Sequence, residues 1–517
     1  MTNHLFDQLL GEANAEVRLA FMPGAAWNSK DRSYSYGDAL DVSARFAAML
    51  VEQGVRPGDR VAVQVEKSIE AVMLYLATVR AGGVFLPLNT AYTAAEIEYF
   101  VTDASPAILV CDPRREAEMQ PVADKAGARL LTMGVWAAEH DGRDGDAGTL
   151  FAATSKTADG FENLPRGPDD LAAILYTSGT TGRSKGAMLS HANLVSNAEV
   201  LAELWQFTSD DKLLHALPIF HTHGLFVATN VTLKAGGSMV FLPGFKPDDM
   251  LASLPDCTAM MGVPTFYTRL LADDRFTADS ASHMRLFVSG SAPMLVETHQ
   301  QFEALTGKRV LERYGMTETN MNTSNPFDGD RKIGTVGPAL PGTEVRIVDA
   351  GSGEKLKTGE VGSIEIRGPN VFSGYWNMPE KTAEEFRDNG FFISGDLGTM
   401  DEDGYITIVG RSKDLVISGG YNIYPKEIES VLDDEPGVLE SAVFGVPHPD
   451  FGEGLLAAVV PSNGEVDTTN LMAAMGEKLA RFKQPKAIFV MEALPRNTMG
   501  KVQKNVLRNT HGDHFKS

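Results

Sequence analysis

Tyr-Thr-Ser-Gly-Thr-Thr-Gly-Arg-Ser-Lys-Gly, residues Tyr176 to Gly186, follows a short apolar run, Leu171 to Leu175, and precedes Ser190 to Phe207, where Leu194, Ala198, Leu201 and Trp205 recur at helical spacing. This order predicts a loop between a buried strand and a helix. Gly179, Gly182 and Gly186 free the backbone to turn its amides toward one point. Thr177, Ser178, Thr180 and Thr181 add hydroxyl donors, and Arg183 and Lys185 add positive charge. Such a loop is a cradle for phosphate. It does not follow Gly-x-x-x-x-Gly-Lys-Ser/Thr, because Lys185 follows a serine and precedes Gly186.

Outward from the loop the chain alternates strand and helix. Arg60 to Glu66 reads as a strand, Ser68 to Arg80 as a helix and Val84 to Leu88 as the next strand. Ile108 to Cys111, Lys212 to Leu217, Ser238 to Leu242, Thr258 to Val263, Leu286 to Ser289 and Val310 to Tyr314 are further strands, with Leu225 to Lys234 helical. The first part is therefore α/β with mainly parallel strands, and ligands gather at the carboxyl ends of such strands. From Gly334 to about residue 410 the texture turns to short strands punctuated by Pro338, Pro341-Gly342, Gly359, Gly362 and Gly368, a β-rich subdomain. Asp401 to Gly404 predicts a hairpin turn, and beyond Gly410-Arg411 a compact α+β unit begins. The expected domains are 1–410 and 411–517, and no fixed-period repeat interrupts them.

The 517 residues are too many for one ordinary core, and an apolar fraction of 43% supports several. With 46 basic and 68 acidic side chains the net charge is -22, which argues against general affinity for nucleic acid or an anionic membrane. A phosphate-bearing partner therefore needs a local site. Cys111 and Cys257 lie in apolar settings, so neither a disulfide framework nor a cysteine-built metal site is expected, and a reducing cytoplasm fits. Met1 to Gln8 lacks the pattern of a cleaved leader, and no apolar run approaches membrane-spanning length.

Glu312-Arg-Tyr-Gly-Met-Thr-Glu-Thr319 gathers an aromatic ring, hydroxyls and carboxylates after an apolar strand. Glu318 can offer oxygen to Mg²⁺ bridging phosphates, Thr317 can donate to a phosphate oxygen, and Tyr314 can cover an adenine face. Asp396, set between glycines in Ser394-Gly-Asp-Leu-Gly398, is placed to accept ribose hydroxyls, with Arg411 fifteen positions on.

Tyr176 to Gly186, Tyr314 to Thr319, Ser394 to Gly398, Gly410 to Asp414 and Pro495 to Lys501 occur in the order found in the adenylate-forming superfamily of acyl-CoA synthetases, adenylation domains and luciferases, which the chain resembles over nearly its full length. The resemblance implies a two-step reaction. A carboxylate attacks the α-phosphorus of ATP and releases pyrophosphate, and a thiol, here coenzyme A, then takes the acyl group from the adenylate. It further implies Thr177 to Gly182 and Lys185 at the phosphates, Tyr314, Gly315 and Met316 at the adenine, Asp396 and Arg411 at the ribose, and Glu318 with Thr317 at Mg²⁺. Lys501 is the implied catalytic lysine, with Lys504 its neighbour and rival. In the family the small domain swings, which puts the hinge at Lys413 and Gly419, Gly420 and Tyr421 beside the pantetheine chain. Arg481 and Lys483 are candidates for the CoA phosphates. Acetylation of the family lysine removes its charge, implying an acetyltransferase and deacetylase as partners at Lys501.

The acid is read from Gly262-Val-Pro-Thr-Phe-Tyr-Thr-Arg269 and Ser289-Gly-Ser291-Ala. A buried guanidinium is a costly intrusion for a fatty or aromatic acid, but it is the partner a dicarboxylate needs. With these segments the chain resembles the malonyl-CoA-forming members of the superfamily, which implies Arg269 and Ser291 on the distal carboxylate and His221 closing the acyl tunnel. His223 then reads as structural, and Arg285 precedes its strand. The expected reaction is ligation of malonate, with methylmalonate as a further substrate, to CoA. Alternatives are a synthetase for another short or aromatic acid, a domain that loads a carrier protein, and a catalytically silent nucleotide-binding protein.

Overall fold

The computed structural model describes residues 2–11, 19–22, 33–134, 148–154, 160–177, 184–418, 421–497 and 500–515. The strand Leu171–Thr177 is followed by a second strand, Lys185–Ser190, in antiparallel register with it: Leu175 faces Ala187 and Thr177 faces Lys185. The expected strand, loop and helix is thus corrected to a hairpin followed by a helix. Ala187 and Leu189 are buried and Met188 between them is half-buried, a period of two that suits a sheet edge. The helix starts at His191, capped by Ser190, whose hydroxyl accepts from the Asn193 amide while the Asn193 side chain accepts from the Ser190 amide. Of the cradle, Ser178, Gly179, Thr180, Thr181 and Gly182 lie outside the described residues.

This hairpin closes one edge of a six-stranded sheet ordered Arg129–Thr132, Ile108–Cys111, Arg60–Gln64, Val84–Pro87, Leu171–Thr177, Lys185–Ser190. All its pairs except the hairpin are parallel. Helix Ile69–Arg80, capped by Ser68, is buried at every position, because it lies within the core rather than over it. A second sheet of eight strands has parallel Leu286–Ser289, Ala259–Gly262, Lys212–His215 and Ser238–Phe241 at its centre, and Leu311–Met316 and Asn320–Ser324 toward one edge. The expected helix after Lys212–His215 opens as a wide π-helical turn, His223–Thr229, before Asn230–Lys234. One core joins the two sheets, filled by Trp205, Phe226, Phe241, Phe287, Phe302 and Tyr267 among others.

The chain divides into two compact units, Met1–Glu344 with Ile366–Phe392, and Val345–Glu365 with Ile393–Ser517. The second holds most of a four-stranded sheet, Glu344–Val348, Gly362–Arg367, Phe392–Met400 and Ile406–Arg411, and a five-stranded sheet built on the long antiparallel pair Val438–His448 and Gly452–Pro461. Its cores pack around Val443, Leu455 and Leu471 on one face and Phe444, Leu456 and Leu507 on the other. The α/β reading with parallel sheets, a β-rich part and a separate α+β part stands. Cys111 and Cys257 are buried free thiols that burial pushes up to about 12, so neither is reactive. Among the described residues no helix is long and apolar enough to cross a membrane.

Candidate active site

In the first unit Lys185 and Glu318 meet through two residues that the sequence did not single out. Lys185 Nζ lies 2.7 Å from Glu385 Oε1 and 4.0 Å from the centre of the Tyr375 ring. The Tyr375 hydroxyl reaches Glu385 Oε2 at 2.5 Å and Glu318 Oε1 at 3.0 Å. Burial raises the Glu318 carboxyl, opposed by Tyr375 and Lys185. Burial acts the same way on Glu385, but the hydrogen bonds from Lys185 and Tyr375 prevail and hold it below the usual carboxylate range. Tyr375 has one hydroxyl hydrogen for two carboxylates. The shorter contact goes to the charged Glu385, which leaves Glu318 as the carboxyl that holds a proton most readily.

Glu318 sits in the tight turn between Leu311–Met316 and Asn320–Ser324, with Thr319 N donating to Met316 O at 3.2 Å. Gly315 is required here, since a Cβ would lie 1.9 Å from Asn320 O. Tyr314, Met316 and Thr317 are half-buried along this edge. Glu312, the other carboxylate of the segment, is turned inward to His299 Nε2 at 2.9 Å and to the Met294 amide at 3.0 Å, a structural role.

Between them, Arg313 is 3% exposed, and its Nε and Nη2 have no hydrogen-bond partner among the described residues. Its guanidinium lies flat against Gly290, where a Cβ would come within 2.4 Å of Cζ and Nη1. The next residue, Ser291, holds a left-handed backbone at φ 70 and sits with its Oγ 3.2 Å from His223 Nδ1. Burial keeps His223 well below its ordinary value, with the Arg313 charge the next cause, so it is neutral. His223 Nε2 and Ser289 Oγ are likewise buried without partners. Orphaned donors of this kind mark a place built for something else to fill.

Arg269, expected as a buried guanidinium, is exposed near the end of helix Pro264–Leu271, with Cζ 5.8 Å from the centre of the Phe245 ring. The correction is positional: Phe266, Tyr267 and Leu270 take the inner face of that short helix and leave Arg269 outside. The buried guanidinium beside Ser291 is Arg313. Sequence reading did not single it out. His221 is half-buried, with Nδ1 3.5 Å from the His223 amide, and it is His223 that touches Ser291. Arg285 is engaged by Asp211 at 2.5 Å.

In the second unit Asp396 is buried, but it lies in a strand and not in a turn: it pairs in register with Arg411, whose Nε is 3.1 Å from Asp396 Oδ1. Gly395 just before it holds a left-handed backbone at φ 72, and the register shifts after it, between Leu397 and Gly398. Lys413 is exposed in the turn Ser412–Asp414. Gly419 and Gly420 lie outside the described residues, and Tyr421 is exposed and stacked on Phe482 with ring centres 4.5 Å apart. Arg481 is exposed, and Lys483 is paired with Glu427. Lys501 is half-buried at the end of a turn closed by Asn497, which accepts from the Lys501 and Gly500 amides. Lys504 is committed to Glu429 at 2.5 Å, which sets it apart from Lys501.

Residues 15–376 match the family model described as AMP-binding enzyme, and residues 427–501 match the AMP-binding enzyme C-terminal domain. The chain belongs to the AMP-binding enzyme family. This AMP-binding enzyme is 56% identical to the crystal structure of ATP-bound MatB from Rhodopseudomonas palustris, over 100% of both chains, with a TM-score of 0.95. It is 34% identical to malonate–CoA ligase of Arabidopsis thaliana, over 98% of this chain and 91% of the relative. It is 38% identical to a feruloyl-CoA synthase of Amycolatopsis sp, over 92% of this chain and 94% of the relative.

Proposed function

We propose that this AMP-binding enzyme ligates malonate to coenzyme A at the expense of ATP, through a malonyl-adenylate, giving malonyl-CoA, AMP and pyrophosphate. Methylmalonate is the further substrate. The observation that carries the choice of acid is the Arg313 guanidinium, buried and without a carboxylate partner among the described residues, beside Ser291 and His223. For an apolar acid that charge is a penalty; for a diacid it neutralises the carboxylate that does not react. The named activities of the Arabidopsis ligase and the 56% identity to MatB support the same reading.

In the first step a malonate oxygen bonds to the α-phosphorus as the bond to pyrophosphate breaks. Lys185 and Thr177, with Ser178 to Gly182, hold the phosphates, and Lys501 offsets the charge that builds between the two anions. Tyr314, Gly315 and Met316 face the base, and Asp396 with Arg411 the ribose. In the second step the CoA thiol adds to the adenylate carbonyl and AMP leaves, with His221 guarding the approach and Gly419, Gly420 and Tyr421 lining it. Glu318 and Thr317 fit Mg²⁺. An ion held there would take one carboxylate and substrate phosphates as its ligands. Bound there, Mg²⁺ supplies charge neutralisation to the phosphates. The moving bodies are residues 1–410 and 411–517, and an acetyltransferase and a deacetylase acting on Lys501 would switch the first step.

The test is pyrophosphate release with malonate, methylmalonate, succinate, acetate and coumarate. Malonate should lead, and release that is fastest with acetate or coumarate refutes the assignment. Arg313→Met and Arg269→Ala, compared side by side, decide which guanidinium holds the distal carboxylate.

A further inference from the structure

Lys185 is already engaged where the phosphates would need it. Its Nζ is held by Glu385 Oε1 at 2.7 Å and lies over the Tyr375 ring at 4.0 Å. The Tyr375 hydroxyl grips the other oxygen of Glu385 at 2.5 Å, which fixes the carboxylate with Oε1 toward the lysine. Lys381 Nζ stands 3.3 Å from the same Oε1, so Glu385 keeps a cation when Lys185 departs. An ammonium is a compact charge on a flexible stem, able to exchange one anion for another. A phosphate that takes Lys185 must displace Glu385, because two anions around one ammonium repel at a few ångströms.

We propose that Glu385 is a latch for Lys185: it holds the lysine against Tyr375 until the phosphates of ATP displace it, and takes it back as pyrophosphate leaves. Glu385 is thus a positioning residue that weakens nucleotide binding and speeds release of the first product. The proposal rests on the reading of Lys185 as a phosphate-binding lysine.

The test is equilibrium binding of Mg²⁺–ATP and of pyrophosphate to the full-length Glu385→Gln protein. Both should bind about five- to tenfold more tightly, the scale of one partly buried charge pair. The KM for ATP should fall in parallel, the KM for malonate should stay unchanged, and pyrophosphate should become a stronger inhibitor. In a Lys185→Met background the same substitution should do nothing, a dependence that a merely structural role does not produce. Glu385→Asp, which shortens the arm and keeps the charge, should act in the same direction by a smaller factor, and it serves if the glutamine variant fails to fold. Unchanged or weaker ATP binding by folded Glu385→Gln, beside a Lys185→Met protein that loses ATP, overturns the latch alone. A Lys185→Met protein that binds ATP as the wild type does overturns both the latch and the phosphate reading beneath it.

Discussion

Replacing Arg313 with methionine separates the two effects of a buried guanidinium. Burial pulls its pKa from its ordinary value down to about 9. At about 1.4 kcal/mol per tenfold, the charged form is disfavoured inside the fold by up to about 5 kcal/mol. Because the folded value lies below the unfolded one, this penalty is present in full under about pH 9 and is relieved only as pH rises from there. Methionine carries no such penalty, and exchanging buried ions for apolar side chains typically returns about 1–4 kcal/mol. Arg313→Met should therefore resist denaturant better than the wild type near neutral pH. Malonate use should move the other way. Loss of one partner from a buried charge pair costs about 2–5 kcal/mol, or about thirtyfold to a few thousandfold in kcat/KM for malonate. Pyrophosphate release at varied malonate, beside urea unfolding of the same preparations, measures both. A variant that is less stable and keeps malonate kcat/KM within a few-fold would refute the reasoning at both ends.

Three further outcomes follow from the geometry. Gly290→Ala puts a methyl group 2.4 Å from the Arg313 guanidinium, so the arginine must shift. Overpacking on the order of 1–3 kcal/mol should appear as about a tenfold or greater rise in KM for malonate, with ATP binding by calorimetry unaltered. Glu318, raised by burial, takes up a proton at a higher pH than an ordinary carboxylate does, and that proton then competes with Mg²⁺. The ATP kcat/KM should drop on the acid side, and stopped-assay pH profiles in which that limb is unmoved in Glu318→Gln would contradict the assignment. In the second unit, burial raises Asp433 from 3.8 to about 6 despite Lys426 and the Ser441 hydroxyl. For a carboxyl raised on folding, the stabilising neutral form is lost as pH climbs through about 6. Asp433→Asn should thus stabilise that unit at neutral pH by up to about 3 kcal/mol. Guanidinium unfolding read at about pH 3.5 and about pH 8 should show the gain at the higher pH and little at the lower, because the difference builds up between 3.8 and about 6.

The parallel sheets were legible because their strands are short apolar runs separated by helical spacing, and Ser68 before Ile69–Arg80 is a cap that sequence shows openly. The strand Lys185–Ser190 was less so. Its apolar stretch is only Ala187 to Leu189, and a three-residue run reads as the start of a helix as readily as a sheet edge. Lys185 and Glu318 each announced phosphate or metal chemistry by residue type, yet nothing local says that Tyr375 and Glu385 join them, since those contacts are made across the fold. Arg269 shows the reverse error. A charged residue on a predicted helix gives no sign of which face is inward, and the inner face here went to Phe266, Tyr267 and Leu270. Nothing local marks Arg313 as buried, and Glu312 beside it turns to His299.

The cross-strand pairing of Thr177 with Lys185 gives the lysine a parity. Side chains on adjacent positions of a strand emerge on opposite sides, so sliding Lys185–Ser190 by one residue would turn the ammonium to the far side of the sheet while leaving the hydrogen-bond ladder intact. A single-residue insertion on the strand side of Lys185 should therefore silence nucleotide binding in a protein that still folds.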